Sequence, residues 1–292
     1  MGLYDLNTIL EKARKEKYCV PAFDASNLEM AKAIIEVAEE EKSPVIIMGL
    51  KVDLEGDMLD YWLQSIRDMA KKSSVPICIH LDHATDFDFI KKCIDKGFTS
   101  VMIDASTKSF EHNKELTKKV VDYAHSNGVS VEAELGHVGD GIVSGKENPD
   151  SKSSNIGDTL TNPKDLKEFI EFTNVDCLAV AVGTQHGVYI AKPNLDFERL
   201  DELNKISEVP LVLHGGSGTP TEQLKKAINL GVCKINIYSE LLNAYYSKMK
   251  EQLNKTDNMS IWVSVANEQP ISAMKEVIKD KFRVYSSSGK AW

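Results

Sequence analysis

The sequence predicts an α/β protein, a (β/α)8 TIM barrel with a C-terminal helical extension. Eight short runs rich in Val, Ile and Leu alternate with longer segments of helical periodicity along the 292 residues. The runs are apolar nearly throughout, as expected of strands that helices cover on both faces. Eight strands separated by helices is the number found in a closed parallel barrel, although an open doubly wound sheet has the same local pattern.

Each strand and helix of that pattern can be placed on the chain. The predicted strands are Tyr18–Asp24, Pro44–Gly49, Val75–Asp82, Ser100–Ala105, Ser130–Gly136, Cys177–Gly183, Pro210–His214 and Cys233–Ile237. The helices predicted between them are Asn27–Glu41, Leu59–Lys72, Phe87–Lys96, Phe110–Asn127, Pro163–Thr173 and Glu222–Leu230. After the eighth strand, Leu241–Trp292 is predicted to be largely helical, with Pro270 opening a last helix and a flexible tail beginning at Tyr285.

One stretch breaks the alternation. Residues His137–Asn162 are polar, rich in Gly, Ser, Asp and Asn, and too long for an ordinary connection. A loop of this length within a compact domain is usually functional or disordered. Because no linker-like segment divides the chain, residues 1–292 are predicted to form a single domain.

Composition excludes some classes of function. Lys and Arg number 35 against 44 Asp and Glu, a net charge of −9, so general nucleic-acid binding is not expected. Anionic small molecules remain possible ligands, since a local field can oppose the overall charge. The five cysteines form no CxxC pair and are expected to be buried thiols in a reducing cytoplasm. No apolar stretch approaches the ~18 residues of a membrane span, so no membrane partner is expected.

Polar residues with catalytic potential fall at the carboxyl ends of the predicted strands. In a barrel these ends form one rim, where catalytic groups gather. Three of the seven histidines, His83, His186 and His214, lie there. Three imidazoles with a carboxylate nearby make a catalytic zinc site with an open position. The carboxylates expected at the same rim are Asp82, Asp104 and Glu134. His80 shares a face with Asp82 one layer deeper, so it is expected behind the site.

Glycine-containing loops near two of these histidines indicate a second kind of site, for an anion. Gly187 follows His186, and Gly215, Gly216 and Ser217 follow His214, just before a helix predicted near Pro220. Backbone N–H groups in such loops, with a helix N-terminus behind them, form an anion site. Further donors are expected from the hydroxyls of Ser217 and Ser239 and the amide of Asn236. The loops after strands seven and eight are the usual phosphate corner of this fold.

Taken together, these motifs resemble the class II fructose-bisphosphate/tagatose-bisphosphate aldolase family. The resemblance runs from PAFDASN at Pro21 to KINIYSELLNAY at Lys234. Its most specific pieces are HLDH at His80–His83, VEAELG at Val131–Gly136, VGTQHGVY at Val182–Tyr189 and LHGGSG at Leu213–Gly218.

The resemblance implies a role for each matching residue. Asp82 matches the catalytic acid/base of the family. His83, His186 and His214 match its three zinc ligands, and Glu134 a carboxylate that binds or sits close to the metal. The residues that match the pocket for the phosphate of dihydroxyacetone phosphate are Gly187, Gly215, Ser217, Asn236 and Ser239. Lys192 matches, shifted by a residue or so, a lysine that follows HGVY.

The resemblance also implies cofactors and assembly. One catalytic Zn²⁺ per subunit is expected, a monovalent cation at the phosphate loops is possible, and the protein is expected to be a homodimer or homotetramer. The site would equally accept Co²⁺ or Mn²⁺. The implied substrate is a small phosphorylated sugar.

The implied reaction makes chemical sense of these residues. Cleaving the C3–C4 bond of a ketose leaves a carbanion next to the C2 carbonyl, and zinc acting as a Lewis acid would stabilise that charge. Asp82 would take the proton of the C4 hydroxyl. The predicted activity is therefore reversible cleavage of a ketose (bis)phosphate, of the fructose- or tagatose-1,6-bisphosphate type, to dihydroxyacetone phosphate and an aldehyde.

Departures from the family pattern concern the far half of the substrate. Asp24 stands where Asn is common, and the segment from Gly136 to Pro163 replaces a GGxED-type lid. The candidate substitutes for the lid acids are Glu147, Asp150 and Asp158. Candidate cations for a second phosphate are Arg283, Arg199 and Lys275. Residues that could recognise another terminal group are His137, Ser144, Lys146 and Ser153.

Three alternatives remain open at this point. The first is an aldolase of the same family for a non-standard ketose 1-phosphate, such as a 6-deoxy-6-sulfo sugar. The second is a phosphosugar isomerase or epimerase, which would need no three-histidine cluster. The third is a noncatalytic phosphosugar-binding barrel, which would be expected to lack Asp82 or a ligand histidine, and both are present.

Overall fold

The computed structural model describes residues 2–143, 146–147, 160–189, 192–255, 257 and 260–292. Eight parallel strands close into a barrel in which each strand pairs with its neighbours in sequence and the first pairs with the last. The strands are β1 Val20–Asp24, β2 Val45–Leu50, β3 Ile77–Ala84, β4 Ser100–Ile103, β5 Ser130–Leu135, β6 Cys177–Val180, β7 Leu211–Leu213 and β8 Val232–Ile237. The predicted barrel is confirmed, and the open-sheet alternative is wrong.

Ten helices surround or cap the barrel in the described ranges. They are α1 Leu6–Glu16, α2 Leu28–Glu40, α3 Met58–Lys72, α4 Phe87–Lys96, α5 Phe110–Ser126, α6 Pro163–Thr173, α7 Phe197–Ile206, α8 Thr221–Asn229, α9 Ser239–Leu253 and α10 Val263–Val284. A 3-10 turn spans Lys51–Asp53. Outside the barrel, Gly139–Asp140 pairs with Gln185–His186, and Ile142–Val143 pairs with Lys146–Glu147.

The apolar character of the strands has a simple structural cause. On β2, Ile46 and Met48 point into the barrel, whereas Val45 and Ile47 pack against the surrounding helices. Successive side chains of a strand point to opposite faces, and here both faces are buried. If polar and apolar residues alternated along a strand, the polar side chains would be buried either inside the barrel or against the helices.

Helix α1 closes the amino-terminal end of the barrel. The Asp5 side chain caps it by accepting a hydrogen bond from the Thr8 backbone N–H at 2.9 Å. Its buried face packs into the inner cluster of the barrel through Leu6, Ile9, Leu10 and Ala13. The carboxyl ends of the strands are therefore the open end, where the polar residues predicted from the sequence are placed.

The prediction that Pro270 opens the last helix is wrong. Helix α10 begins at Val263 and continues through Pro270, which is buried inside it. Proline costs an interior helix a hydrogen bond, but packing of α10 along α9 and α2 holds the turns on both sides of it.

The tail after α10 is packed rather than flexible. Tyr285 is fully buried, and its carbonyl accepts a hydrogen bond from the Cys19 N–H at 3.0 Å. The Gly289 N–H donates to the Glu41 carbonyl at 2.8 Å. The expectation of a flexible tail is therefore wrong, because backbone partners for these residues come from two distant segments, the residue before β1 and the loop that follows α2.

Two smaller predictions can also be compared with the structure. All five cysteines are free and buried, as expected. Within the described ranges, no helix combines the length and apolarity needed to cross a membrane.

Candidate active site

An irregularity in β3 brings Asp82 and His83 to the same cavity. The pairing of β3 with β4 shifts register between Leu81 and Ala84, and His83 has a φ of 45°. Neighbouring residues of a regular strand point to opposite faces, but both of these side chains line the cavity. Left-handed backbone at a non-glycine residue is strained, and such strain is typical of functional sites.

The three rim histidines converge. The ring centroid of His83 lies 4.7 Å from that of His186 and 4.6 Å from that of His214. One ring nitrogen of each lies within 4.8 Å of the corresponding nitrogens of the other two. They come from the ends of β3 and β7 and from the loop after β6, so closure of the barrel brings them together.

A carboxylate stands behind each of these imidazoles. Nδ1 of His83 donates to Asp104 at 2.9 Å, and Nδ1 of His186 donates to Asp140 at 3.2 Å. The third such bond runs from Nε2 of His214 to Glu132, at 2.8 Å. A carboxylate on one nitrogen leaves the other with a lone pair for a metal.

The second ring nitrogen of each histidine, which does not bond to the carboxylate behind the ring, is the candidate metal ligand. Nε2 of His186 is buried and has no hydrogen-bond partner in the described part of the chain, and Nδ1 of His214 is buried with Oε2 of Glu134 3.1 Å away. Burial lowers the pKa of His186, whereas the carboxylates around His83 and His214 outweigh burial and raise the pKa of both. The three histidines therefore fit a tetrahedral N-ligand set with an open position.

Glu134 lies beside this cluster. Its Oε1 accepts a hydrogen bond from the Val138 N–H at 2.9 Å, and its Oε2 lies 3.1 Å from Nδ1 of His214. Oxygen atoms of Glu134 and Asp104 also form a second compact group with a nitrogen of His83. A carboxylate in this place can approach an ion held by the histidines.

Asp82 stands between the histidines and β8. Its Oδ1 accepts a hydrogen bond from Nδ2 of Asn236 at 3.1 Å, and its Oδ2 lies 4.0 Å from Nε2 of His83. Burial by itself raises the pKa of Asp82, but electrostatic attraction to His83 and to the Lys234 ammonium outweighs it and lowers the pKa. The carboxylate is therefore held ionised in a buried position.

Two charged residues below the site, Glu132 and Lys234, were missed in the sequence. They and the neighbouring His80 are completely buried. His80 bonds through Nδ1 to Ser100 at 2.8 Å, and burial lowers its pKa to about 4. His80 thus lies behind the site, as expected. The signal for the other two was the spacing in VEAEL and KIN, where polar residues two apart share the inner face of a strand.

Glycines shape the corner beside β7 and β8. A Cβ on Gly215, at φ +66°, would lie 2.3 Å from the Gln185 carbonyl oxygen, so only glycine fits there. Oγ of Ser217 accepts N–H groups from Tyr238 at 3.1 Å and from Glu240 at 3.2 Å. Helix α9 begins at Ser239 and presents its N-terminus to the same corner, which therefore suits an anion.

One cavity of about 770 Å³ joins these parts. The predicted site residues that line it are Asp82, His83, His186, Gly187, Gly215, Ser217, Asn236 and Ser239. His214 and Glu134 are buried immediately behind its wall. Lys192 is exposed and is not among the lining residues; it follows directly on residues 190–191, which lie outside the described ranges.

A set of carboxylates, here called the carboxylate wall, also lines the cavity. Besides Asp82, the lining includes Asp24, Asp53, Asp104 and Asp140. Oδ1 of Asp24 is buried without a hydrogen-bond partner in the described structure, and burial together with the nearby Asp82 raises the pKa of Asp24. Among the described lining residues there is no lysine or arginine.

The cations considered for a second phosphate are bound elsewhere. Arg199 bonds to Asp196 at 3.2 Å, and Lys275 contacts Glu36. Arg283 contacts Glu41 at 2.9 Å. None of the three lines the cavity, so these candidates are wrong within this protomer.

The residues considered for the long loop divide into two groups. His137 lines the cavity and bonds through Nδ1 to Ser106 at 3.0 Å. The residues that lie outside the described structure, in whole or as side chains, are Ser144, Lys146, Glu147, Asp150, Ser153 and Asp158.

Comparison with known proteins agrees with this geometry. The sequence profile described as fructose-bisphosphate aldolase class-II matches residues 4–290. A fructose-bisphosphate aldolase of Geobacillus stearothermophilus is 40% identical over 297 residues, which covers 100% of this chain and 99% of the relative.

Solved structures give the same result. The YdjI aldolase of Escherichia coli K12 is 35% identical with a TM-score of 0.86, covering 99% of this chain and 100% of its own. A putative fructose-1,6-biphosphate aldolase of Coccidioides immitis is 32% identical with a TM-score of 0.87, covering 98% and 97%. Fructose-bisphosphate aldolase of Campylobacter jejuni, at 21% identity, a TM-score of 0.80 and coverage of 98% and 96%, shares the fold.

Proposed function

Because this chain belongs to the class II fructose-bisphosphate aldolase family and is a carbon–carbon lyase, we propose that it cleaves a ketose (bis)phosphate in a metal-dependent retro-aldol reaction. The products would be dihydroxyacetone phosphate and an aldehyde. The observation that carries the proposal is the convergence of three carboxylate-backed histidines beside Asp82, in a cavity that also holds a glycine-lined anion corner.

We assign the metal to the histidine cluster. His83 and His186 would bind it through Nε2 and His214 through Nδ1, with Glu134 close enough to join. A bound Zn²⁺ would act as a Lewis acid that lowers the energy of the carbanion next to the substrate carbonyl.

Asp82 is the group placed to move the proton of the C4 hydroxyl. The hydrogen bond from Asn236 occupies Oδ1 and leaves Oδ2 directed toward the histidines. The carboxylate accepts the hydroxyl proton as the C3–C4 bond breaks, and it returns the proton in the condensation direction.

The glycine corner would hold the phosphate of the dihydroxyacetone phosphate half. Donors come from the backbone around Gly187 and Gly215, the hydroxyls of Ser217 and Ser239, and the second amide N–H of Asn236. A phosphate-binding role for Lys192 stays a prediction, since Lys192 is not among the described residues that line the cavity.

The carboxylate wall favours a ketose 1-phosphate over a bisphosphate. The carboxylate of Asp53 would repel a second phosphate or a sulfonate, whereas a hydroxyl group can donate to it. The unpartnered oxygen of Asp24 offers another partner to a hydroxyl. We therefore propose two candidate substrates. The first is a ketose bisphosphate, and the second is a ketose 1-phosphate whose far half carries hydroxyl groups.

Release of dihydroxyacetone phosphate from a panel of substrates tests the proposal. The panel holds fructose and tagatose 1,6-bisphosphates, their 1-phosphates and a 6-deoxy-6-sulfo analogue, each with and without chelator and with Na⁺ or K⁺. Cleavage that a chelator abolishes and Zn²⁺ restores supports metal dependence, and the ranking names the substrate. If the zinc-loaded protein cleaves no member, the proposed substrate class is wrong.

We also propose a homodimer or homotetramer in the cytoplasm. At the start of α10, the adjacent residues Trp262 and Val263 are exposed by 80% and 72%. Adjacent exposed apolar residues are typical of an interface between subunits. Light scattering would measure the mass, and a Trp262→Asp/Val263→Asp variant that leaves the mass unchanged would show that this surface is not the interface. The buried free cysteines fit a reducing compartment.

A further inference from the structure

An ion pair is buried inside the barrel below the candidate active site. Lys234 on β8 and Glu132 on β5 are both completely buried. Nζ of Lys234 lies 2.9 Å from Oε2 and 3.1 Å from Oε1 of Glu132. Taking two charges out of water is costly, and apolar residues of the same volume often stabilise a core better. Stability alone therefore gives a poor reason for this pair.

One end of the pair contacts a proposed metal ligand. Oε1 of Glu132 accepts a hydrogen bond from Nε2 of His214 at 2.8 Å. Because a carboxylate only accepts, this bond places a proton on Nε2 and turns Nδ1 toward the other histidines, where Oε2 of Glu134 lies 3.1 Å from it. Glu132 thus fixes the proton on Nε2 and the direction of the His214 ring.

The other end contacts the proposed acid/base through one intermediate. Nζ of Lys234 donates to Oδ1 of Asn236 at 2.6 Å, and Nδ2 of Asn236 donates to Oδ1 of Asp82 at 3.1 Å. An ammonium has no acceptor atom, so it orients the amide with its oxygen toward Lys234 and its N–H groups toward Asp82. A rotated amide would turn its oxygen toward the Asp82 carboxylate and repel it.

We propose that Glu132 and Lys234 act as a pair of positioning residues that orients His214 and Asp82 together. The ligand and the acid/base would then be set by one rigid unit within the barrel, before either substrate or metal arrives. The inference rests on the proposed function for the role of Asp82, but the orientation of His214 by Glu132 can be tested through metal affinity alone.

The competing explanation is that the two charges merely neutralise each other. Three variants separate the explanations: Glu132→Gln, Lys234→Met and the double variant. Each single variant leaves one buried charge without its partner and is expected to lower the Tm. The double variant removes both charges and is expected to recover most of that loss. Val120→Ala, in the outer core on α5, is the control for destabilisation at a distance.

Zinc affinity, measured by competition with a chromogenic chelator, and kcat and KM are the readouts. We expect Glu132→Gln to weaken zinc binding by about 10–100-fold, because the amide is a weaker acceptor for His214. We expect Lys234→Met to lower kcat by about 10–100-fold, with KM and zinc affinity within about threefold of wild type. The double variant should show both defects despite its recovered Tm, and Val120→Ala should show neither.

The outcomes that overturn the proposal are distinct. A double variant with wild-type zinc affinity and kcat would show that the pair only balances charge. A double variant less stable than both single variants would show that the pair serves stability. If the wild-type enzyme cleaves no ketose phosphate, the proposed function fails, while the zinc affinity of Glu132→Gln still decides whether Glu132 positions His214.

Discussion

Asn236, on the eighth strand of the barrel, donates a hydrogen bond of 3.1 Å to Asp82, on the third strand, across a sequence separation of 154 residues. This bond occupies Oδ1 of Asp82 and leaves Oδ2 as the atom nearer His83, at 4.0 Å from Nε2. The carboxylate is thus oriented by the barrel itself. Its proposed role in proton transfer depends on that orientation and on its charge.

Removing the charge of Asp82 tests that role. Asp82→Asn keeps the shape of the side chain but cannot accept the C4 hydroxyl proton, so kcat should fall by about 10²–10⁴-fold. Zinc content should stay at the wild-type value, since Asp82 is not among the proposed ligands. Steady-state kinetics and elemental analysis on the same preparation check both statements. Near wild-type kcat would show that another group carries the proton.

Ser217 tests the proposed phosphate corner. Its hydroxyl oxygen accepts two backbone N–H groups at the start of α9, and its own proton is available to an anion. Hydrogen bonds to charged groups contribute about 1.5–3 kcal/mol, so Ser217→Ala should raise KM by about 10–100-fold. Inorganic phosphate should inhibit the variant less. Ser126→Ala, on the exposed end of α5, is the matched control; equal KM values for both variants would place the phosphate elsewhere.

Asp53 tests the selectivity assigned to the carboxylate wall. It lines the cavity from the 3-10 turn after β2, where its charge opposes a second phosphate. Asp53→Asn should raise kcat/KM for a 1,6-bisphosphate relative to the matching 1-phosphate by about 10-fold. This ratio corresponds to the removal of one screened charge repulsion of ~1.4 kcal/mol. Asp57→Asn makes the same charge change outside the cavity. A ratio that moves equally in both variants would reflect overall charge and not the wall.

Glu41 predicts a pH dependence of stability. Burial raises its pKa, but hydrogen bonds from Ser288 and Arg283 outweigh that effect and the pKa is lowered. A lowered folded-state pKa stabilises fully above the unfolded value of about 4.3, and the stabilisation is lost as the pH falls through the folded pKa. Glu41→Gln should therefore lower the Tm by about 2–4 °C at pH 7, because it removes roughly 1 kcal/mol from the free energy of unfolding. Below pH ~4 the difference in Tm between variant and wild type should be smaller.

Thermal unfolding at both pH values checks this prediction. Glu40→Gln is the neighbouring control, because the Glu40 side chain is 57% exposed and its ion pair with Lys279 is long, at 3.6 Å. A Tm difference for Glu41→Gln that stays the same from pH 7 to pH 3.5 would show that its charge does not hold the tail.

Features encoded by neighbouring residues were predictable from the sequence. The apolar runs predicted the barrel because each strand is buried on both faces, and the strand ends placed Asp82, His83, His186 and His214 at one rim. The tail was predicted wrongly because its partners lie far away in the chain, before β1 and in the loop after α2. The helix through Pro270 was misplaced because packing against α9 and α2 outweighs the local preference of proline.

The sequence by itself determined the fold class and the chemical types of residue at the rim, since apolar periodicity and contiguous motifs are local properties. Only the tertiary structure decided which nitrogen of each histidine is free, that Asp140 stands behind His186, and that Glu132 pairs with Lys234. These contacts join segments far apart in the chain, and they arise because barrel closure forces buried polar groups to find partners across it. No local pattern specifies which partner each group finds.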